Sequence, residues 1–238
     1  MQAQTTLRYF DARGRAQFIR YYLSVRNVDF VDERIPIEPD FASWLAIRDD
    51  RSIAGPFRKL PLLSIDDQIV CETLVIANML HEKFGDAAIL STTENLRHQQ
   101  LMSSLFSDLT TQVAMLLWVE VMFEGLDFDT YVKRSFERHI RHITSIEETL
   151  NEWDWLARIN TRPIMLVDCL LWEGLDVVCT VFGEHFRLES FPLLNEFYIR
   201  YRSGTVFSEL LAAKPCQITA RHDEANVIAN VQKILTAS

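Results

Sequence analysis

The sequence has little of what marks several protein classes. Its 238 residues include only seven glycines and seven prolines, which excludes collagen-like and linker-rich chains. No apolar run approaches the roughly 18 residues that span a bilayer, and the N-terminus shows no charged-then-apolar signal segment. We therefore expect a cytoplasmic protein without a membrane partner.

Cysteine is also scarce. The four cysteines lie far apart, with no CxxC pair and no Cys/His cluster at metal-binding spacing; they are Cys71, Cys169, Cys179 and Cys216. Each lies in or beside an apolar run, so we expect buried free thiols, a reducing compartment and no bound metal.

Positive charge is in deficit. The formal net charge is −9, which argues against a nucleic-acid partner because phosphates would be repelled. The deficit is uneven, since residues 1–86 hold 11 Lys/Arg against 13 Asp/Glu and the remainder holds 13 against 20. The first part is therefore better suited to receive a small anion.

The first third of the sequence changes its hydrophobic period repeatedly. "TTLRYF" is rich in β-formers, and "DFVDERI" alternates apolar and charged residues as a half-buried strand does. Between them, Ala16, Ile19 and Leu23 recur at helical spacing. These segments predict a strand, a helix and a second strand.

The next segments predict a hairpin between two helices. "FASWLAIR" indicates a short helix, and "DDRSIAGPFR" a loop. "LPLLSID" and "QIVCE" indicate two strands that turn at Asp66-Asp67, and "TLVIANMLHEKFG" a helix that ends at Gly85. The order βαβαββα within about 85 residues is typical of a thioredoxin-like domain.

The rest of the sequence reads as helices. Apolar stripes recur at helical spacing from Leu101 to Leu116 and along Tyr131–Leu156, and the segment around Val167–Phe182 is apolar on nearly all sides, as in a helix central to a bundle. "FPLLNEFYIRYR" indicates a further helix. We predict an α/β thioredoxin-like domain over residues 1–86, a linker over 87–94 and an all-α domain over 95–238.

The strand-to-helix junction in "LRYFDARGRAQFIRYYL" is the first candidate site. A helix N-terminus favours an anion such as a thiolate, to which the Tyr9 hydroxyl could donate a hydrogen bond. Arg15 could hold that hydroxyl. Taken alone, Tyr9 is more simply explained as a strand aromatic whose polar tip lies at the surface.

Two further candidates surround the predicted hairpin. Pro61 starts a strand, and if the Leu60–Pro61 bond is cis, the Leu60 backbone can pair with an extended peptide; otherwise it is an ordinary strand-starting proline. At the next helix, Thr73 is a natural N-cap that could seat a carboxylate, and Glu72 could accept a bond from an amino group. The alternative there is a simple helix cap.

The three sites together would form a binding site for a tripeptide thiol, and their sequence motifs resemble those of a known family. "LRYFDARGRAQFIRYYL" is similar to the opening of the sigma, alpha, mu and pi group of cytosolic glutathione transferases, and is closest to the sigma class. "FRKLPLL" followed by "ETLVIANML" resembles that family's cis-proline strand and γ-glutamyl site. Beyond residue 90 the resemblance rests on helical layout and on Asp168.

The resemblance implies roles for individual residues. Tyr9 looks like the catalytic tyrosine that stabilises the glutathione thiolate, and Arg15 like its supporting arginine. The other implied glutathione-binding residues are Phe41, Trp44, Lys59, Leu60, Pro61, Glu72 and Thr73. An electrophile pocket is expected from Phe10, Ala12, Met115, Trp118 and Met122, each of which could equally be helical core. The family also implies glutathione as cosubstrate, no metal, and a homodimer.

The sequence departs from the family pattern at three places. Phe41 or Trp44 would be the aromatic residue near the glycine carboxylate, but the basic residue that often follows is missing, so Arg48, Arg51 or Arg58 could replace it. Asp168 matches the capping-box acid of the central helix. Met165 stands where a Ser or Thr cap is expected, leaving that cap half-made. In some classes of the family an acidic residue reaches across the dimer interface. Asp108 lies too far along its helix to be the counterpart of that residue.

The implied function is a glutathione S-transferase in which the bound thiolate attacks an apolar electrophile. A glutathione-dependent isomerase similar to prostaglandin D synthase is an alternative at the same site. A non-catalytic transferase-fold protein, like the lens crystallins of this lineage, is a second alternative. A redox enzyme is disfavoured because no cysteine follows the first strand.

Overall fold

The computed structural model describes residues 4–66, 68–202, 206–213 and 217–237. The first part contains four strands and four helices: β1 (Thr5–Phe10), α1 (Gln17–Val25), β2 (Phe30–Ile35), α2 (Ala42–Arg48), α3 (Arg51–Ala54), β3 (Leu62–Ile65), β4 (Gln68–Cys71) and α4 (Thr73–Lys83). The second part is helical: α5 (Thr92–Ser104), a π-helical segment (Leu105–Thr110), α6 (Thr111–Met122), α7 (Phe128–Glu152), α8 (Trp155–Ile159), α9 (Leu166–Phe182), α10 (Pro192–Arg202), α11 (Val206–Ala213) and α12 (Glu224–Thr236).

The four strands form one mixed sheet in the order β2-β1-β3-β4. β1 and β2 are parallel, whereas β3 is antiparallel to both β1 and β4. The predicted βαβ unit followed by a hairpin is therefore confirmed, as is the thioredoxin-like plus all-helical fold class. Part of the predicted Asp66-Asp67 turn, Asp67, lies outside the described residues, as does Cys216.

Two boundaries differ from the sequence prediction. The predicted loop at Asp49–Pro56 contains α3, a single turn whose Asp50 carboxylate accepts a hydrogen bond from the Ser52 N–H at 2.9 Å. The predicted linker is partly helical because Ser91 and Glu94 form a reciprocal capping box that starts α5 at Thr92. Local side-chain caps thus extend helical structure into polar segments.

α9 is the central helix of the second part, as its all-round apolar pattern predicts. It packs against α1, α5, α10 and α12, and the Asp168 carboxylate near its start is fully buried. That carboxylate accepts bonds from the Met165 N–H at 2.8 Å and from the Arg162 guanidinium at 2.6 and 2.9 Å. The half-made cap is therefore completed by an ion pair.

The stripe of Leu101, Leu105, Leu109 and Val113 explains the π-helical segment between α5 and α6. All four side chains are buried, yet steps of four residues drift by about 40° each around an ideal α-helix. A π turn has more residues per turn, which returns the stripe to the face that meets the core.

The continuous helix Thr92–Met122 is apolar enough over an 18-residue window, with a mean hydropathy of 1.3, to meet a length-and-composition test for crossing a membrane. A third of that window is buried in the fold. Core helices meet the same test, so it is weak evidence for a span.

Candidate active site

The turn between β1 and α1 brings a phenol and a backbone N–H together. Tyr9 lies at the end of β1, and its hydroxyl oxygen accepts a hydrogen bond from the Arg15 N–H at 3.2 Å. Gly14 lies against the Tyr9 ring with φ +40°, a left-handed conformation that favours glycine. Within the described residues the Tyr9 O–H donates to no protein acceptor, so its proton is available to a ligand.

Burial raises the pKa of Tyr9, although the Arg15 N–H and the charges of Arg15 and Arg20 act against the rise. The Arg20 guanidinium lies 6.0 Å from the centroid of the Tyr9 ring. Because the pKa is raised, the phenol keeps its proton at neutral pH and acts as a hydrogen-bond donor.

Tyr9 faces a cavity of about 460 Å³, a size typical of small-molecule sites. The lining comes from the β1–α1 turn, α2, α6, α9 and the chain before α12. Its residues are Tyr9, Phe10, Gly14, Arg15, Phe41, Trp44, Thr110, Thr111, Ala114, Met115, Trp118, Met122, Glu173, Val177, Ile218, Thr219 and Ala220.

Aromatic rings form one wall of the cavity. Phe10 meets Tyr9, Phe41 and Trp44 edge-to-face, with centroids 5.7, 5.9 and 6.0 Å apart. Phe41 and Trp118 are 6.3 Å apart. Such a wall suits a flat or apolar ligand beside the Tyr9 hydroxyl.

The sheet register aligns Tyr9 with the other candidate residues. Leu62 pairs with Arg8 on one side and Cys71 on the other. Continuing that register by one residue aligns Tyr9 with Pro61 and Glu72, which lie just beyond the ends of β3 and β4. With neighbouring strands about 4.8 Å apart, this row spans about 10 Å, the length of an extended tripeptide. The Leu60–Pro61 bond is cis.

The start of α4 differs from the prediction by one residue. Thr73 is the first helical residue and is buried, and Glu72 occupies the N-cap position without a side-chain cap bond. Glu72 is exposed and has φ +68°, a strained conformation that clusters at functional sites. The prediction that Thr73 is the N-cap is therefore wrong.

A buried ion pair lies beneath the turn. The Arg13 guanidinium donates to both oxygens of Glu173 on α9, at 3.0 and 2.8 Å, and also pairs with Asp176 at 2.7 Å. Burial raises the pKa of Glu173. Arg13 is thus occupied within the fold, and of the first arginines after Tyr9 only Arg15 is exposed.

Comparison with known proteins identifies the family. The family model "Glutathione S-transferase, N-terminal domain" matches residues 5–82. Glutathione S-transferase A3 of Mus musculus is 31% identical over 241 positions, which cover 99% of this chain and 100% of that protein. The chain belongs to the glutathione S-transferase family. Hematopoietic prostaglandin D synthase of Gallus gallus is 28% identical over 127 residues, covering 45% of this chain and 60% of that one.

Solved structures share the glutathione S-transferase fold. A pi-class glutathione S-transferase of Onchocerca volvulus superposes with a TM-score of 0.70 at 23% identity, covering 91% of this chain and 98% of that one. A monomeric glutathione S-transferase of Necator americanus gives 0.69 at 19% identity, covering 90% and 98%. These similarities show the fold alone.

The cavity of this glutathione S-transferase collects part of the predicted site. Eight predicted residues line it: Tyr9, Phe10, Arg15, Phe41, Trp44, Met115, Trp118 and Met122. Ala12 does not line it, because it is fully buried and its backbone pairs with Gln217. Five others lie outside the lining, just before β3 or at the start of α4: Lys59, Leu60, Pro61, Glu72 and Thr73.

Arg15 differs in detail from the expectation. Its backbone N–H holds the Tyr9 hydroxyl, whereas its guanidinium lies 5.7 Å from the centroid of the Phe106 ring. The arginines considered for the glycine end are exposed, with Arg48 the last residue of α2 and Arg51 and Arg58 after it. Arg48 and Arg58 both pair with Asp49, and Arg51 and Lys59 are exposed.

Several lining residues were missed by sequence reasoning. Thr110 lines the cavity from the end of the π-helical segment, Thr111 from the start of α6, and Glu173 from α9. Ile218, Thr219 and Ala220 come from a segment more than 200 residues after Tyr9. A Glu within an apolar helix was a readable signal for Glu173; no local pattern marks the other residues.

None of the three cysteines that the structure describes lines the cavity. Cys71, Cys169 and Cys179 are unpaired, and burial raises the pKa of each thiol. In the part of the chain that the structure describes, no group of three His, Cys, Asp or Glu side chains is arranged to hold a metal ion.

Proposed function

We propose that this protein conjugates glutathione to apolar electrophiles and that Tyr9 stabilises the glutathione thiolate. One observation carries the proposal: the Tyr9 hydroxyl lines the cavity, its oxygen accepts from the Arg15 N–H, and its own proton is available. A hydrogen bond to the ionised form of a thiol lowers the thiol pKa. The thiolate is the stronger nucleophile, so the reaction uses the cosubstrate's sulfur.

The row of Tyr9, Pro61 and Glu72 supports a glutathione seat along the sheet edge. We infer that the Leu60 backbone pairs with the cysteinyl unit and that Glu72 and the first amides of α4, beginning at Thr73, receive the γ-glutamyl end. Lys59, Phe41 and Trp44 are our candidates for the glycyl end. A polar backbone edge beside an apolar cavity suits a peptide thiol that reacts with an apolar molecule.

The electrophile would occupy the aromatic side of the cavity. Phe10, Trp118 and Met115 supply apolar walls next to Tyr9, and Met122 lies at the mouth, where it is 56% exposed. Attack by sulfur forms a carbon–sulfur bond there while the leaving group departs, or while an unsaturated bond takes up a proton.

A glutathione-dependent isomerase is the second candidate, favoured by the resemblance to the chicken prostaglandin D synthase. The two reactions differ in stoichiometry, because conjugation consumes one thiol per turnover and isomerisation consumes none. Thiol titration during turnover separates them. A non-catalytic relative would bind glutathione resin weakly or not at all and turn over neither substrate.

We also propose a cytoplasmic homodimer divided into residues 1–86, a linker over 87–94, and 95–238. Its unpaired cysteines suit a reducing compartment. Phe57 is 61% exposed between α3 and β3, and Ile69 on β4 and Val75 on α4 are 49 and 53% exposed. Exposed apolar groups of this kind mark contact surfaces. Light scattering should give twice the chain mass of 27.7 kDa; a monomer, like the Necator americanus protein, would contradict the dimer.

The test of the function is conjugation to an aryl halide by the native protein and Tyr9→Phe. Loss of a bond to a charged group predicts a fall in kcat/KM of about 10- to 100-fold. Tyr131→Phe makes the same chemical change on α7, away from the cavity, and should match the native rate. Equal rates for Tyr9→Phe and native protein would reject the assignment.

A further inference from the structure

The chain before α12 docks onto the turn that holds Tyr9. We call residues 217–221 the C-terminal strap. Ala12 and Gln217 form a parallel β-bridge. The Arg13 N–H donates to the Gln217 carbonyl at 2.8 Å, and the Gly14 N–H to the Ile218 carbonyl at 2.7 Å.

Three consecutive N–H groups of the turn therefore donate to two different partners, the strap and the Tyr9 hydroxyl. The N–H groups of Arg13 and Gly14 donate to the strap, and the next, on Arg15, donates to the Tyr9 hydroxyl oxygen at 3.2 Å. Because successive peptide planes are joined at one Cα, fixing the first two restricts the direction of the third. The strap thus constrains the bond that orients the phenol.

One carboxylate accepts hydrogen bonds from two backbone N–H groups of the strap. Glu224, the first residue of α12, is 4% exposed. It accepts bonds from the Ile218 N–H at 2.6 Å, the Thr219 N–H at 2.5 Å and the Thr219 hydroxyl at 2.6 Å. In the described part of the chain, the donors to this carboxylate are all on residues 218 and 219, within the strap whose carbonyl oxygens hold the turn.

Three other hydrogen bonds of the strap run from its side chains to backbone carbonyl oxygens. The Gln217 side chain bonds to carbonyls within the strap, and the Arg221 guanidinium donates to the Leu117 carbonyl of α6 at 2.6 Å. Below the turn, Glu173 holds the guanidinium of Arg13 rather than its amide. Glu224 is therefore the group that holds the backbone of residues 218 and 219, next to the amides of the turn.

We propose that Glu224 is a positioning residue for catalysis: through the strap and the turn it sets the direction of the Tyr9 hydroxyl toward the glutathione sulfur. The inference rests on the proposed function. Glu224, at the start of α12, would then affect the pKa of the bound thiol in addition to stabilising the fold. It would do so from a distance, because Glu224 does not line the cavity.

The test compares Glu224→Gln with a matched variant, Glu147→Gln. Glu147 on α7 also accepts two consecutive N–H groups, those of Leu193 and Leu194, at 2.8 and 2.9 Å, and it lies outside the cavity lining. In each variant an amide NH₂ replaces one acceptor oxygen, so similar losses of stability are expected. The readouts are the thiol pKa of bound glutathione, from thiolate absorbance, and hydrogen exchange of the peptide that holds residues 10–16.

We expect Glu224→Gln to raise the bound thiol pKa by about 0.5 unit or more, a roughly threefold loss of thiolate below that pKa. Exchange of the Arg13 and Gly14 amides should also accelerate. Glu147→Gln should change neither readout. Faster exchange with an unchanged thiol pKa, or an equal shift in Glu147→Gln, would overturn the proposal.

A second variant covers the case in which Glu224→Gln does not fold. Thr219→Val removes one of the three donors to Glu224 and keeps the chain length, so a smaller rise in the bound thiol pKa is expected; no rise would overturn the proposal.

Failure of this inference can be told apart from failure of the proposed function. If Tyr9→Phe leaves the thiol pKa unchanged, the proposed function fails, whereas a response to Tyr9→Phe but not to the strap variants rejects only this inference.

Discussion

A Cβ atom placed on Gly14 would lie 2.4 Å from the Tyr9 hydroxyl oxygen and 2.7 Å from its Cε1 atom. The phenol therefore occupies space that is open only because residue 14 has no side chain. Gly14 both permits the left-handed turn and leaves room for the group that the turn holds.

Gly14→Ala should displace the Tyr9 hydroxyl from the Arg15 N–H. We expect kcat/KM for conjugation to fall by about tenfold or more, since loss of a bond to a charged group costs about 1.5–3 kcal/mol. The backbone strain at φ +40° should also lower the free energy of unfolding by about 1 kcal/mol. Steady-state kinetics and urea titration measure the two effects.

Gly85→Ala is the control for that backbone strain. Gly85 has φ +75°, but a Cβ there would meet nothing within 4 Å. It should lose comparable stability and keep native kinetics. Equal activity losses in the two variants would show that strain alone, rather than the Tyr9 contact, explains the effect.

Trp118→Ala should separate electrophile binding from thiol activation. Trp118 lines the cavity opposite Phe41, and loss of an aromatic contact with burial predicts a KM for an aryl electrophile about tenfold higher. The pKa of bound glutathione should not change. Trp153→Ala, remote from this cavity, is the matched control, and a shifted thiol pKa in Trp118→Ala would count against the assigned role.

Stability should fall on acidification because two buried histidines resist protonation. Burial lowers the pKa of His98 and of His139 to about 4, against about 6.5 in an unfolded chain. Between these values the unfolded state binds more protons, so the contribution of these two histidines to stability is complete above pH 6.5 and is lost as pH falls toward 4. Each histidine contributes a slope of up to about 1.4 kcal/mol per pH unit.

The measurement is urea unfolding from pH 7 to pH 4.5. His98→Gln should reduce the slope by up to about 1.4 kcal/mol per unit, and His222→Gln, at an exposed position, should leave it unchanged. An unaltered slope in His98→Gln would show that this side chain is not neutral in the folded protein.

Asp168→Ala should be strongly destabilising. It leaves the Arg162 guanidinium, 10% exposed, without its buried partner and removes the acceptor for the Met165 N–H. A loss of about 3–5 kcal/mol in the free energy of unfolding is expected. Glu137→Ala, which breaks the exposed pair with Arg141, should cost no more than about 0.5 kcal/mol, and similar losses would contradict the buried-pair account.

The sequence alone predicted the features that depend on local pattern. Strand alternation at Asp29–Ile35 and the helical spacing of Ala16, Ile19 and Leu23 yielded the βαβ unit, and the apolar segment around Val167–Phe182 yielded the central helix. The family resemblance directed attention to Tyr9. The strand, the helices and the motif around Tyr9 are each defined by residues close together in the sequence, and it is over such short ranges that propensity and periodicity act.

Features that depend on long-range contacts were not predictable. The strap pairs Gln217 with Ala12 across 205 positions, and only the folded chain brings Glu173 beneath Arg13. The interaction of Arg15 with Tyr9 occurs through a backbone N–H, which carries no side-chain signature. The site was therefore predicted as a set of side chains, while the groups that orient them emerged from tertiary structure.

The most direct test of the central claim is the pKa of the glutathione thiol in complex with the native protein, with Tyr9→Phe and with Tyr131→Phe, followed by thiolate absorbance against pH. The account predicts a native value well below that of free glutathione. It also predicts a rise of about one unit or more in Tyr9→Phe, equivalent to over 1 kcal/mol, and no change in Tyr131→Phe. Bound glutathione with the pKa of the free thiol, or a depressed value that Tyr9→Phe leaves in place, would contradict it.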